Sequence, residues 1–257
     1  MKYIALEITG RIGHITLNRP EKRNALNHEL IGELRNAFQE MSGNGQVKVI
    51  VLRARGDVFC AGADLSYLQQ LQRNSYEENL KDSSALKDLL LQIYTLDKVV
   101  IAAVQGHAIA GGCGLISACD FIFTVPDASF GYTEVRIGFL PAIVMVFLLR
   151  RIRESGVKEL LLSGNLITAP KALEMGLINR IVPADSLAAE VDLFAEMLCA
   201  KNSGESMKVT KQMIAAVQSM PLEEALGYAA EMNARARSSD DCKKGTAAFL
   251  NKEKVVW

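Results

Sequence analysis

The segment 99–126, "VVIAAVQGHAIAGGCGLISACDFIFTVP", contains two apolar stretches separated by a cluster of glycines. The first stretch, "VVIAAVQG", predicts a buried strand that ends at a glycine, and "FIFTVP" predicts the next strand. Residues 111–119 between them predict a short buried helix. A strand, a glycine turn, a helix and a second strand in this order are typical of a layered α/β core with parallel strands.

The glycine cluster has no charged neighbour, because no Asp, Glu, Lys or Arg lies between His107 and Cys119. Small residues just beyond a strand allow another atom to approach the backbone, and a helix N-terminus offers unpaired N–H groups. A second corner of this kind, "FCAGADL", occupies residues 59–65. Two such corners in one sheet can aim two N–H groups at one oxygen, which is the geometry of an oxyanion hole. Tight helix–sheet packing without a ligand is the alternative, and the usual nucleotide-binding loop motifs do not occur.

The remaining chain extends this α/β pattern and then becomes helical. The alternation in 3–9 and 11–17 predicts a hairpin around Gly10, and 25–42, 47–54 and 66–95 predict a helix, a buried strand and a polar helical region. After about residue 145 the patterns are helical, except for the short extended piece "INRIVP" at 178–183. We therefore expect a core domain of residues 1–195 and a helical C-terminal subdomain of residues 196–257.

Composition excludes several classes of partner. The 257 residues include 29 Lys plus Arg and 29 Asp plus Glu, so no overall charge attracts nucleic acid or an anionic membrane. The five cysteines are odd in number and form no CxxC pair, which favours reduced core thiols over disulfides or metal ligands. The N-terminus lacks the apolar core of a signal peptide, and no uncharged run predicts a membrane span. These features predict a cytoplasmic protein without a metal site.

Six segments resemble the successive motifs of the crotonase superfamily, the enoyl-CoA hydratase/isomerase family. They are "LNRPEKRNAL", "FCAGADL", "GHAIAGGCGLISACD", "FGYTEVRIGFLP", "SGNLITAPKALEMGLINRIVP" and "GTAAFLNK". The resemblance implies a superhelix of stacked β-β-α units with a helical C-terminal subdomain, assembled as a homotrimer or homohexamer. It also implies a coenzyme A thioester substrate and no separate cofactor. By motif, the thioester oxygen would be held by the backbone N–H groups of Ala63 and Gly111.

The resemblance also implies which side chain carries protons. Family hydratases hold a water between two glutamates, and the matching positions here are Glu134 and Gly114. With only one acid, an isomerase-type shuttle is favoured, in which Glu134 takes a proton from one carbon and returns it to another. Hydration with water positioned by Glu134, including a methylglutaconyl-CoA-type reaction, is the alternative. Decarboxylation, thioester hydrolysis and a non-catalytic acyl-CoA-binding or RNA-associated role are further alternatives.

Substrate contacts follow from the same motifs. The predicted set is Lys22, Arg23, Ala61, Asp64, Leu65, Gly114, Tyr132 and Lys252. Lys22 and Arg23 would meet the coenzyme A phosphates, joined by Lys252 or Lys254 from the tail or from a neighbouring subunit. Fixing of the loop is the alternative for Asp64, and packing is the alternative for Tyr132.

Two apolar segments in the C-terminal half allow two interpretations each. The segment "AIVMVFLL" at 142–149 replaces the glycine-rich continuation common in the family and adds bulk beside the acyl pocket or a subunit contact. The helical stripe of Leu187, Val191, Phe194 and Leu198 either covers a neighbouring subunit or packs on its own core.

Overall fold

The computed structural model describes residues 1–257, except for the side chain of Leu65. Ten strands form two sheets. They are β1 (Ile4–Thr9), β2 (Ile12–Leu17), β3 (Val49–Ala54), β4 (Val58–Cys60), β5 (Val99–Val104), β6 (His107–Ile109), β7 (Phe121–Thr124), β8 (Ser129–Gly131), β9 (Ile167–Thr168) and β10 (Arg180–Ile181).

The larger sheet confirms the predicted α/β core. Its strand order is β1-β2-β3-β5-β7-β10. The β1–β2 hairpin is antiparallel and turns at Gly10, whose φ of 59° suits glycine. All other pairs in this sheet are parallel. Parallel strands bring their carboxyl ends to one edge of the sheet. The chain leaves this edge after β3 and after β5 and then reaches the first and the second predicted corner.

A second sheet, of order β4-β6-β8-β9, lies beyond the long strands. The strands β4, β6 and β8 each follow a long strand of the first sheet, namely β3, β5 and β7. The resulting β-β-α repeats confirm the fold implied by the family resemblance. The sequence patterns predicted no strand at these three positions, because each strand has only three residues.

Eleven α-helices accompany the sheets. They are α1 (His28–Gly43), α2 (Leu65–Leu71), α3 (Tyr76–Thr95), α4 (Gly111–Ser117), α5 (Ala142–Leu148), α6 (Glu154–Ser163), α7 (Ala169–Glu174), α8 (Leu187–Lys201), α9 (Gly204–Val217), α10 (Leu222–Arg237) and α11 (Asp240–Asn251). The polar region predicted at 66–95 is two helices, because Ser75 and Glu78 form a capping box that starts α3. Among the described residues, no helix combines the length and apolar character needed to cross a membrane.

Helix α8 belongs to the core. Leu187, Val191 and Leu198 are buried, and Phe194 packs edge-on against Phe121 of β7. The apolar stripe therefore covers the chain's own sheet, and the interpretation that it covers a neighbour was wrong. The expected domain boundary at residue 195 falls inside α8, so the C-terminal helices instead begin after Lys201.

A buried ion pair attaches these C-terminal helices to the core. Lys211 of α9 is buried, and its Nζ donates to the carbonyl oxygens of Ile93 and Lys98. The same Nζ lies 2.7 Å from Oδ2 of Asp120, which also accepts from the N–H of Val100. Asp120 therefore has a structural role.

Four of the five cysteines are buried, as predicted for core thiols. Burial raises the pKa of Cys60, Cys113 and Cys119 to about 12. These thiols are neutral at physiological pH and are poor nucleophiles.

Candidate active site

The first corner is the loop that joins β4 to α2. Leu26 pairs with this loop as in a parallel sheet: its N–H donates to the carbonyl of Gly62, and its carbonyl accepts from the N–H of Asp64. The residue between those two partners is Ala63, whose own N–H is thereby directed away from Leu26. Ala63 is exposed. A ligand can therefore approach this residue, whose N–H is the predicted donor.

The second corner lies between β6 and α4. Gly111 is the first residue of α4, so its N–H has no partner within the helix. Ala110 before it has φ 51° and ψ −122°, a conformation usual for glycine in turns and rare for alanine. Such a backbone costs about 1–3 kcal/mol and persists only where its surroundings impose it. Here the Ala110 N–H donates to Gly131 at 2.7 Å, and its carbonyl accepts from Gly114 at 2.9 Å.

The two corners are in direct contact. Gly62 has a φ of 90°, and a Cβ placed on it would lie 2.8 Å from the Ala110 Cβ and 3.7 Å from the Gly111 nitrogen. A Cβ on Gly111 would lie 3.0 Å from Leu26 Cδ1, so Leu26 contacts both corners. Only small residues allow this approach. The structure thus places the loop that carries Ala63 beside the start of α4 at Gly111, and their joint role as donors to one oxygen stays a prediction.

Asp64 holds the first corner in place. One carboxylate oxygen lies 2.8 Å from Arg19, and the other accepts from the backbone and hydroxyl of Ser66 at the start of α2. Both side chains of the Arg19–Asp64 pair are buried, so loss of one partner would cost about 3–5 kcal/mol. The hydrogen bond from Ser66 is the main cause that lowers the pKa of Asp64. Asp64 therefore fixes the loop, as one of the two interpretations of the sequence expected, and its contact with substrate stays a prediction.

Glu134 is buried beside the second corner. It follows β8 by three residues, and the last residue of β8, Gly131, accepts the N–H of Ala110. Three residues span at most about 10 Å, and the Glu134 charge acts on the thiol of Cys113 in α4, so Glu134 lies beside α4. Glu134 is 9% exposed, and within the described structure its Oε2 has no hydrogen-bond partner. Burial raises the pKa of Glu134, which suits a group that exchanges protons near neutral pH.

Tyr132 is fully buried in the core. Its hydroxyl is 3.0 Å from the Ser117 hydroxyl, which donates to the Cys113 carbonyl. These contacts support the packing role of Tyr132, and its predicted contact with substrate stays a prediction. His107 is also structural, since its Nδ1 accepts from the backbone of Ser129.

Gly114 is enclosed by α5. A Cβ on Gly114 would lie 2.8 Å from the Cβ of Val144 and still closer to Val144 Cγ1. Val144 is 3% exposed and comes from the segment that replaces the family's glycine-rich continuation. Gly114 itself is buried, and its predicted contact with substrate stays a prediction.

The predicted phosphate contacts flank the first corner. Lys22 and Arg23 are exposed, and the Arg23 carbonyl accepts the N–H of Ala61 at 3.0 Å. The ion pairs formed by the described side chains leave both cations free. Lys252 directly follows the last residue of α11. Beyond it, the carbonyl of Trp257 accepts a hydrogen bond from Arg11, which precedes β2, whereas Lys22 and Arg23 follow β2. The predicted contact of Leu65 lies outside the described residues.

Three contributors were not predicted from the sequence. Arg19 and Leu26 both lie in or beside "LNRPEKRNAL", so the motif was visible but their contacts with the loop were not. The backbone conformation of Ala110 could not be predicted from the sequence, because this conformation favours glycine and the residue is alanine.

A cavity of about 860 Å³ lies away from the two corners. It is located between the end of α4 and the C-terminal helices, and Asp120 and Lys211 are among the residues that line it.

Known proteins are similar to this chain over nearly its whole length. A model of the enoyl-CoA hydratase/isomerase family matches residues 7–257. A Thermus thermophilus protein named "Putative enoyl-CoA hydratase" is 40% identical over 243 residues, which cover 95% of this chain and 96% of that protein. A Syntrophomonas wolfei protein named "Crotonyl-CoA hydratase" is 30% identical over 254 residues, which cover 98% and 96%.

Solved structures are similar over the same length. A "putative enoyl CoA hydratase/isomerase (crotonase)" from Legionella pneumophila has a TM-score of 0.90 at 36% identity, covering 98% of this chain and 97% of that chain. An enoyl-CoA hydratase from Shewanella pealeana has a TM-score of 0.94 at 29% identity, covering 99% and 96%.

Proposed function

This chain belongs to the enoyl-CoA hydratase/isomerase family, and from that premise we propose that it moves the double bond of an enoyl-CoA thioester by a proton shuttle through Glu134. The single observation that carries the proposal is the Glu134 carboxyl. It is buried, its Oε2 is unpartnered among the described groups, and the position of a second acid is a glycine enclosed by Val144.

The proposed reaction starts from a 3-enoyl thioester. The Glu134 carboxylate removes a proton from C2, and the electron pair of that C–H bond passes into the thioester carbonyl to give a dienolate. The Glu134 carboxylic acid then returns the proton to C4, which leaves the double bond between C2 and C3. One group serves as base and then as acid, so no second carboxyl is needed.

The N–H groups of Ala63 and Gly111 would stabilise the negative charge that develops on the thioester oxygen. Both groups belong to a corner whose neighbouring peptides are fixed by hydrogen bonds, so they need little reorganisation during the reaction. Removal of one donor from such a hole costs about 2.7–4 kcal/mol. Lys22 and Arg23 beside the first corner are proposed to bind the coenzyme A phosphates.

Hydration of a 2-enoyl thioester is the second candidate, because the Thermus and Syntrophomonas relatives are named hydratases. In that reaction the Glu134 carboxylate would accept a proton from water as its oxygen adds to C3. The resulting acid would then protonate C2. The free Oε2 of Glu134 is suited to hold this water.

Separate incubations with a 3-enoyl-CoA and a 2-enoyl-CoA test the proposal. Chromatography with mass detection should show conversion of the 3-enoyl to the 2-enoyl thioester faster than addition of water to the latter. Efficient hydration with no isomerisation would instead support the second candidate. Activity is expected to survive EDTA, since the proposed chemistry uses no metal; loss restored only by a divalent ion would contradict it.

A homotrimer or homohexamer in the cytoplasm is proposed as the working form. Large apolar side chains are exposed just before α5, at Ile137, Phe139 and Leu140, and on the last helix, at Phe249 and Leu250. Exposed apolar patches of this kind mark interaction sites. Lys252 follows this helix, and its proposed contribution to coenzyme A binding would come from a neighbouring subunit.

A further inference from the structure

We infer that Val144 determines reaction specificity: it fills the volume that any side chain at position 114 would need, and so holds the site to a single acid. The inference rests on the proposed role of Glu134 and concerns how α5 maintains it. Val144 acts through position 114 and is a positioning residue.

The contact between position 114 and Val144 cannot be relieved by a change of side-chain rotamer. A Cβ on Gly114 would lie 2.8 Å from Val144 Cβ, a separation that real Cβ atoms essentially never show. Rotation of the valine side chain moves Cγ1 but leaves its Cβ in place. An acid at position 114 therefore requires a shift of α4 or α5, and both helices are packed in the core through Val144, Phe147 and Leu115.

The direction of position 114 gives the constraint its functional meaning. Gly114 donates to Ala110, so it stands one helical turn after the end of α4 that carries the Gly111 N–H. Side chains on a helix lean toward its N-terminus. A carboxylate at position 114 would therefore extend toward Gly111 and the neighbouring Glu134, where it could hold a water for addition.

The size of residue 144 predicts that Val144→Ala and Val144→Gly differ sharply in the space that they open for a side chain at position 114. Alanine at 144 removes Cγ1 but retains the Cβ at 2.8 Å, whereas glycine leaves Val144 Cα, at 3.8 Å, as the nearest atom of this residue. We therefore expect Val144→Gly to accommodate a side chain at 114, and Val144→Ala to fail.

The test compares Gly114→Glu, Gly114→Glu/Val144→Gly and the matched control Gly114→Gln/Val144→Gly, which has the same shape without the charge. In the Glu double variant, the ratio of hydration to isomerisation should rise at least about tenfold over the Gln control, within the range of acid–base catalysis. Gly114→Glu alone should have a lower urea midpoint and a ratio near that of the wild type. An equal ratio and midpoint for Gly114→Glu and its Val144→Gly double variant would overturn the inference.

A smaller series keeps the inference testable if the acidic variants do not fold. Gly114→Ala should lower the urea midpoint, Val144→Gly should reduce that effect in a double-mutant cycle, and Val144→Ala should not. Absence of this coupling would overturn the inference. A wild type that hydrates but does not isomerise would overturn the proposed function instead, while the coupling between positions 114 and 144 would remain.

Discussion

Replacing Ala110 by glycine should make the protein more stable and less active. Alanine at φ 51° and ψ −122° stores about 1–3 kcal/mol of strain. Glycine relieves that strain but adds about 0.5–1 kcal/mol of chain entropy to the unfolded state. The net expectation for Ala110→Gly is a gain of about 0–2.5 kcal/mol in the free energy of unfolding, measured by urea denaturation.

The loss of activity follows from the peptide between Ala110 and Gly111. Its carbonyl accepts from Gly114, so in a trans peptide its N–H points the opposite way, out of the helix and toward the first corner. The Ala110 methyl fills the space beside Gly62 and limits movement of this peptide. Glycine at 110 would loosen the donor, and we expect kcat to fall about tenfold, less than the roughly 10²–10³-fold loss on removing an oxyanion donor.

The assay combines kinetics with infrared difference spectra of a bound acyl-CoA carrying a ¹³C-labelled thioester carbonyl. Wild type should shift the carbonyl band to lower frequency, and Ala110→Gly should shift it less, with KM nearly unchanged. Ala234→Gly, on an exposed helix face, is the matched control and should alter stability alone. An Ala110→Gly variant with an unchanged carbonyl shift and unchanged kcat would refute the reasoning.

The other predictions address the proton carrier, the phosphate contacts and the assembly. Glu134→Gln should lower kcat by about 10²–10⁴-fold while leaving the affinity for a saturated acyl-CoA unchanged in calorimetry; a fully active variant would remove Glu134 from the mechanism. Because burial raises its pKa, folded Glu134 keeps its proton to a higher pH than the unfolded chain, so stability is lost as pH rises from 4.5 through the raised value. Glu134→Gln should therefore exceed wild type in stability at pH 7 but not at pH 4, and equal curves at both would contradict this. Lys22→Ala/Arg23→Ala should raise KM by about tenfold with little change in kcat, which steady-state kinetics would measure; the reverse pattern would exclude a phosphate contact. Sedimentation at micromolar concentration should give a trimer or hexamer, and a lone 28.1 kDa species would disprove the assembly.

Most of the large sheet could be predicted because its strands are long enough to show a pattern. The six-residue strands β1, β2, β3 and β5 are apolar or alternating over their whole length. Three-residue strands such as β4, β6 and β8 have no period to detect, and their pairing depends on the strands beside them. The stripe on α8 was visible, but its partner was not, because periodicity shows that a helix face is buried and not what buries it.

In the candidate site, too, some features could be predicted from the sequence and others could not. The two corners and Glu134 could be located by motif, since backbone donors need only small residues at the right places. The contact between Gly114 and Val144 could not, because it joins positions 30 residues apart through the packing of α4 on α5. The sequence left two roles open for Asp64 and two for Tyr132, because it does not reveal the internal partner that each side chain has in the structure.

The Lys211–Asp120 pair also bears on the order in which the chain folds. All three hydrogen bonds of the Lys211 ammonium go to groups between Ile93 in α3 and Asp120 before β7, so these contacts of helix α9 require that this segment has already folded. A buried ammonium without these partners costs several kcal/mol, which makes early, independent assembly of α9 unfavourable. We expect the core to form first and the C-terminal helices to attach last, so a chain still emerging from the ribosome could complete both corners of the site before its final helices are made.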